Sequence, residues 1–158
     1  MTAVQQSGNP TPGHVALWTA PGVIGDGGAL GAAQKVLALI TDADFNDTND
    51  QPILLPERMQ ALMLTAILIT IAGVSLTIAV GGLYPAASKA GTAIVAASQV
   101  YTALTTANKI LSATLAGTAG STRFSRTELA DWAIYLSLTT AQGAAATADV
   151  YLIGIDLT

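Results

Sequence analysis

An all-β fold is predicted: a jelly-roll-like β-sandwich of about eight strands with an extended N-terminal arm. Three observations carry that expectation. Short apolar runs recur at close spacing, with Gly and Ala/Thr linkers such as Gly81-Gly82, Gly91 and Gly143 to Thr147 between them. Several runs alternate apolar with small or polar residues, the period of a half-buried strand. The longest apolar stretch is rich in β-branched residues, which suit strands better than helices. Many short strands at even spacing point to a sandwich or jelly roll.

Residues 1–33 form one compositional unit, the arm, and residues 34–158 the sandwich domain. Ten Gly and Pro residues between Gly8 and Gly31 punctuate the arm too densely for a helix or a long strand. One short apolar run, His14 to Trp18, stands between those breaks and reads as a single short strand that orders against a partner. Gln34 to Ile40 is the expected first strand of the sandwich, closed by an Asx-rich loop over Thr41 to Asp50. Gln51 to Pro56 follows as a short strand bounded by prolines.

Met59 to Leu83 carries no charged residue, and it is long enough to span a bilayer as one helix. A membrane protein built on 59–83 is therefore an alternative. Against it stand the β-branched residues from Thr65 to Val80, the break at Ala72-Gly73, and flanks without clustered Lys, Arg, Trp and Tyr. The second piece alternates Val74, Leu76, Ile78 and Val80 with Gly73, Ser75, Thr77 and Ala79, which predicts a strand. Thr92 to Tyr101 fits strand or helix, whereas Lys109 to Leu115, Trp132 to Leu138 and Asp149 to Leu157 fit strands. A short echo links Ser75–Gly81 with Ser137–Gly143, but shared composition explains it equally well.

Charge narrows the function classes. Charged residues are 10% of the 158, and six Lys plus Arg against ten Asp plus Glu leave a net charge of −4. The cations are scattered singly, which argues against nucleic acid. With no cysteine, disulfides and thiolate metal sites are excluded. Met1 to Gly13 has neither a basic n-region nor an apolar h-region, so no secretory signal is expected there.

The chemistry-bearing residues are few. His14, the single histidine, sits in the arm, and no nucleophile elbow accompanies it. Asp42, Asp44, Asp47 and Asp50 could gather around calcium, but their spacing is not that of an EF-hand, and turn-capping Asx residues explain the same letters. The glycines at 25, 27 and 28 lack the lysine and helix of a phosphate loop. Glu57, Glu128 and Asp131 are the candidate carboxylates, and Arg123 to Asp131 reads as a solvated segment or subunit contact. No active site, metal or cofactor is expected, and the reading is non-enzymatic.

The arm segment Thr11 to Gly28 resembles a segment of tailed-bacteriophage virion proteins: Pro-Gly-His, an apolar run with Trp, then Gly-Val, an apolar residue and Asp-Gly-Gly. Asn46 to Gln51, Ala86 to Ala93 and Leu136 to Tyr151 are similar to stretches of small proteins from the same group. Met59 to Leu76 is more apolar, and Arg123 to Asp131 more charged, than that group leads one to expect. The resemblance implies a virion surface protein, a capsid decoration or head-fibre or spike subunit, with a tail-fibre-type receptor-binding module as the alternative. It implies the major capsid protein or another virion protein as partner, a homotrimer, and a host surface receptor in the adhesin case. His14, Val15, Leu17, Trp18, Val23 and Ile24 are then the expected partner-binding anchors of the arm, with Leu17 and Trp18 at its centre. Exposed aromatic residues near Tyr84, Tyr101 or Tyr151 would favour the adhesin.

Overall fold

The computed structural model describes residues 5–7, 14–20, 23–29, 34–116 and 122–157, the first three segments by backbone alone. The chain divides into two units, Met1–Ala33 and Gln34–Thr158.

In the first unit lie β1 (Gln5–Ser7), β2 (His14–Ala20) and β3 (Val23–Ala29), in the order β1-β3-β2. β1 runs parallel to β3 and β2 antiparallel to it. The expected strand at His14 to Trp18 is thus joined by two others. Glycine-rich Val23–Ala29 pairs because a ladder needs only backbone donors and acceptors, which glycine keeps.

The second unit is all-β. Its strands are β4 (Lys35–Asp44), β5 (Gln51–Leu54), β6 (Ala61–Thr70), β7 (Val80–Tyr84), β8 (Ile110–Ala113), β9 (Arg123–Ser125), β10 (Ala133–Thr140) and β11 (Thr147–Asp156). One sheet has the order β4-β11-β6-β8, with β9 also on β6, and the other has β5-β10-β7. Every pairing in the two is antiparallel. Both sheets feed one apolar core: Leu37, Ile67, Ile69 and Leu152 from the larger meet Ile53, Leu83, Ile134 and Leu136 from the smaller. That arrangement is sandwich-like, two sheets each hiding one face from water.

Several sequence expectations need correction. β4 does not stop at Ile40 but continues to Asp44. It does so through a bulge, in which Asp42 takes a left-handed φ of 52° where the register shifts between Ala148 and Val150. The Asp42 N–H is received by Asp149 Oδ1 at 2.9 Å, and Ala43 then returns to the core.

Met59 to Leu83 forms no helix: it holds β6, an irregular stretch and β7. No helix among the described residues is long and apolar enough to cross a membrane. Val74 to Ala79 is not a strand either, because Leu76 is buried while Val74 and Ile78 point to solvent. Thr92 to Tyr101 is neither strand nor helix, and touches its neighbours by single bridges such as Val95 to Leu83. Arg123–Ser125, part of the segment read as solvated or as a subunit contact, adds β9 to the edge of β6. The echoing segments are not equivalent: Leu138 and Thr140 pair with Gly81 and Val80, so one lies against the other.

Candidate functional site

The expected arm anchors fall on two paired strands. His14, Val15, Leu17 and Trp18 belong to β2, and Val23 and Ile24 to β3, with Trp18 opposite Ile24 and Leu17 opposite Gly25. Their side chains lie outside the described residues, so their role stays an expectation.

Two of the Asp42 to Asp50 carboxylates, Asp44 and Asp47, cap their own loop. Asp44 Oδ1 accepts the Asn46 N–H at 2.7 Å, and Asp47 Oδ1 accepts the Asn49 N–H at 2.9 Å. These are Asx turns. The two Asn49 groups, backbone first, hold the Asp47 carboxyl below its ordinary range. Among the described residues no three His, Asp or Glu side chains converge to hold a metal.

Asp50 reaches farther. It accepts the N–H of Ser88 in the turn between Ala87 and Ala90, where Ser88 and Lys89 both adopt left-handed φ, 59° and 57°. That bond is the main reason its carboxyl is held down, helped by the Ser137 hydroxyl and the Lys89 charge and opposed by partial burial. Ser137 Oγ is wholly buried and forms no hydrogen bond of good geometry. Its effect on Asp50 is therefore that of a nearby dipole rather than of a formed bond.

Beside them Tyr135 donates to Asp131 Oδ2 at 3.0 Å, and burial, then Asp131, pushes its phenol up. Asp131 and Trp132 also share a left-handed turn, φ 53° and 52°. This network fastens two loops onto β10. Its buried hydroxyl, Ser137 Oγ, is shut away from water beside a carboxylate held in its charged form. The hydrogen bonds of the network anchor loops to one another and to β10.

The other carboxylates do likewise. Glu128 Oε2 accepts from Ser125 Oγ at 2.6 Å and Ser125 N at 2.7 Å, contacts that keep its carboxyl low. Arg126 donates to the Glu57 carbonyl at 2.5 Å and sits 5.6 Å from the Trp132 ring centre, while Trp132 Nε1 donates to Pro56 O at 2.9 Å. Arg123 to Trp132 is thus a clamp on Pro56–Gln60. Tyr84 and Tyr101 are buried and Tyr151 half-buried, so the exposed aromatic cluster that would mark an adhesin is not at these positions.

The two sheets differ in what lies outside them. On the smaller sheet the outward residues Tyr84, Tyr135 and Ser137 are buried, while Leu54 on β5, opposite Ala133, is 67% exposed. On the larger, outward residues form two apolar rows in register. Leu39, Tyr151 and Leu68 cross β4, β11 and β6 in one row, and Val36, Ile153 and Ala66 in the next. Paired residues share a face, and the alternating Ile67, Ile69, Val150 and Leu152 are buried on the other. Val36 is 53% and Leu39 42% exposed. Burial alternates along β6 and β11, but nearly every position there is apolar or small, so the sequence does not show which residues face outward.

Comparison with known proteins gives no match: no protein-family model fits the chain, and no curated protein and no solved structure matches it.

Proposed function

We propose that the chain is a non-enzymatic structural protein of a tailed-bacteriophage virion surface, a capsid decoration or head-fibre or spike subunit, with Met1–Ala33 as its attachment unit. The observation that carries the reading is the nested strand pairing of the second unit. Its first strand pairs with its last (β4 with β11), the second with the seventh (β5 with β10), and the third with the sixth (β6 with β9). A bridge from Leu83 to Val95 continues the nesting after β7, and β8 shares with β9 the flank of β6 that β11 leaves open. An antiparallel ribbon wound in this order is a jelly roll, an architecture used by viral capsid and lectin domains. Fold alone does not fix function; the resemblance of Thr11 to Gly28 and Leu136 to Tyr151 to phage virion proteins supplies the rest.

Quantitative mass spectrometry of purified phage particles encoding this chain tests the proposal. A copy number in fixed ratio to the major capsid protein supports decoration, and a few copies per particle a spike. Absence from the particle overturns the reading. Deleting residues 1–30 is expected to leave a folded second unit, which has its own core, but to abolish incorporation.

A further inference from the structure

We infer that the hairpin from Pro85 to Ala93 is a flap that the Asp50 carboxylate latches shut and that acid releases. The hairpin joins Tyr84, the last residue of β7, to buried Ile94. Its base is fixed: Ile94 N–H donates to Leu83 O at 2.8 Å, and Leu83 N–H to Val95 O at 3.2 Å. Beyond that base the hairpin bonds to itself, through the Ala86–Ala90 bridge and the Ala90 N–H on Ala87 O at 3.2 Å. Ala87 to Thr92 are all exposed, so no buried side chain pins the tip to the core. Among the described residues, the bond from Ser88 N–H to Asp50 Oδ2 is the only hydrogen bond or ion pair that ties Pro85 to Ala93 to the rest of the chain.

The tether holds a strained turn. Ser88 and Lys89 stand at φ 59° and 57°, where a Cβ crowds the backbone, and such residues persist only while their surroundings hold them there. Here that hold is one side chain from another loop. A segment with few buried contacts and one outside bond lies at the low end of local stability, so it opens without unfolding the sheets. Charge sets when it opens. A carboxylate binds an N–H more strongly than a neutral acceptor does, and protonation removes the surplus. The groups that face Asp50 are Lys89 from the hairpin itself and, from β10, the Ser137 hydroxyl and the Tyr135 phenol, which also donates to Asp131. Lys89 and Ser137 favour the charged carboxyl, and Tyr135 stays neutral throughout the acid range. The flap is therefore shut above the lowered pKa of Asp50 and opens as pH falls through it. The result is a segment whose accessibility to other molecules follows pH. This goes beyond the virion reading and does not depend on it.

The test is hydrogen exchange of the full chain, corrected for the intrinsic rate at each pH, from about pH 7 down through the carboxylate range. The bonded amides of Ser88 and Ala90 carry the hairpin's protection. That protection should fall about tenfold or more in acid, the scale of a lost charge-assisted bond, while β6 and β10 keep theirs. Asp50→Ala should open the flap already at neutral pH and erase its response to acid, whereas Asp131→Asn should leave both as in the parent. Trypsin gives a second reading. At neutral pH it should cut after Lys89 about tenfold faster in Asp50→Ala than in the parent, because cleavage follows the population of the open form. A hairpin unprotected at neutral pH overturns the inference. So does one indifferent to acid and to Asp50→Ala, or one whose response Asp131→Asn removes. Protection lost only together with β6 and β10 overturns it too, since that is global unfolding.

Discussion

Gln142 and Thr77 are bonded in both directions: Thr77 N–H donates to Gln142 Oε1 at 2.9 Å, and Gln142 Nε2 donates to Thr77 Oγ1 at 2.9 Å. The same Oε1 also receives the N–H groups of Ile78 and Ala79, at 3.2 and 3.3 Å. One buried side-chain amide thus does for residues 77–79 what a neighbouring strand would do, and lets the segment stay irregular. Gln142→Ala leaves three donors without an acceptor next to fully buried Ala79. We expect a loss of about 2–3 kcal/mol, read as a lower midpoint in urea with unchanged slope. A loss below about 0.5 kcal/mol, the scale of an ordinary surface change, would show that water replaces the amide.

A second prediction concerns the turn at Ser88 and Lys89. Two successive left-handed residues are the signature of a type I′ turn, for which Asn-Gly is the favoured pair. Serine and lysine both carry a Cβ that resists this conformation. Lys89→Gly should therefore stabilise the protein by roughly 0.5–1 kcal/mol, the relief of strain exceeding the added freedom of the unfolded chain. Thermal denaturation measures it, and a lower midpoint would refute the assignment.

These two sites show where sequence reading succeeds and where it fails. The runs Lys109 to Leu115 and Asp149 to Leu157 contain β8 and most of β11, the first by its alternation and the second by its apolar, β-branched and aromatic content. Val74 to Val80 alternates as cleanly, yet the N–H groups of Thr77, Ile78 and Ala79 are taken by a glutamine more than sixty positions away, a partner no local pattern displays. Asp42 looked like the start of a loop, since Asx residues cap turns, but its bulge keeps β4 paired through Asp44. The outward rows were hidden for another reason. Composition reports that Leu39, Leu68 and Ile153 are apolar, while only strand order shows that they share one face.

Gly154 and Gly82 mark close approaches between chain segments. A Cβ at Gly154 would stand 2.1 Å from the Met63 carbonyl oxygen, and one at Gly82 2.4 Å from the Val95 carbonyl oxygen. Backbone cannot yield as a flexible side chain does, so Gly154→Ala must open the β11–β6 ladder. A loss of about 3 kcal/mol, the upper end for overpacking, is expected. Gly73→Ala, with nothing within 4 Å, is the control and should stay within about 0.5 kcal/mol of the parent. Equal effects in equilibrium unfolding would defeat the argument from contact.

Tyr101 predicts an alkaline limb. Its ring is fully buried against Phe45, edge to face at 5.1 Å, and its hydroxyl donates to Gly81 O at 3.1 Å. Burial, and secondarily Tyr84, raises its phenol well above the ordinary value of 10.0. A group whose folded pKa is raised contributes stability that is complete below the unfolded pKa and lost as pH rises toward the folded one. Unfolding free energy should therefore fall from about pH 10 upward. Tyr101→Phe should lose about 1 kcal/mol at neutral pH for the missing hydrogen bond and flatten that fall. An unchanged alkaline slope in the variant would place the limb elsewhere.

Asp50 predicts the opposite limb. Its carboxyl is held low, first by the Ser88 N–H, so its contribution is present above the unfolded pKa of about 3.9 and disappears as pH drops through the lower folded value. Asp50→Asn keeps an acceptor for Ser88 but removes the charge. The parent should be the more stable protein at about pH 7, and the difference should shrink as pH falls below the unfolded pKa and through the lowered folded one, beyond which both side chains are neutral. Asp47 and Glu128, also held low, act in the same direction but are common to both proteins and cancel in the difference. Ser137 refines the test. If its buried hydroxyl acts on Asp50 only as a dipole, Ser137→Ala shortens the acid limb slightly and costs little at neutral pH, since no formed hydrogen bond is broken. A large neutral-pH loss would mean that the hydroxyl does bond to Asp50 in solution, and that the carboxylate secures the Ala87–Ala90 turn and β10 together.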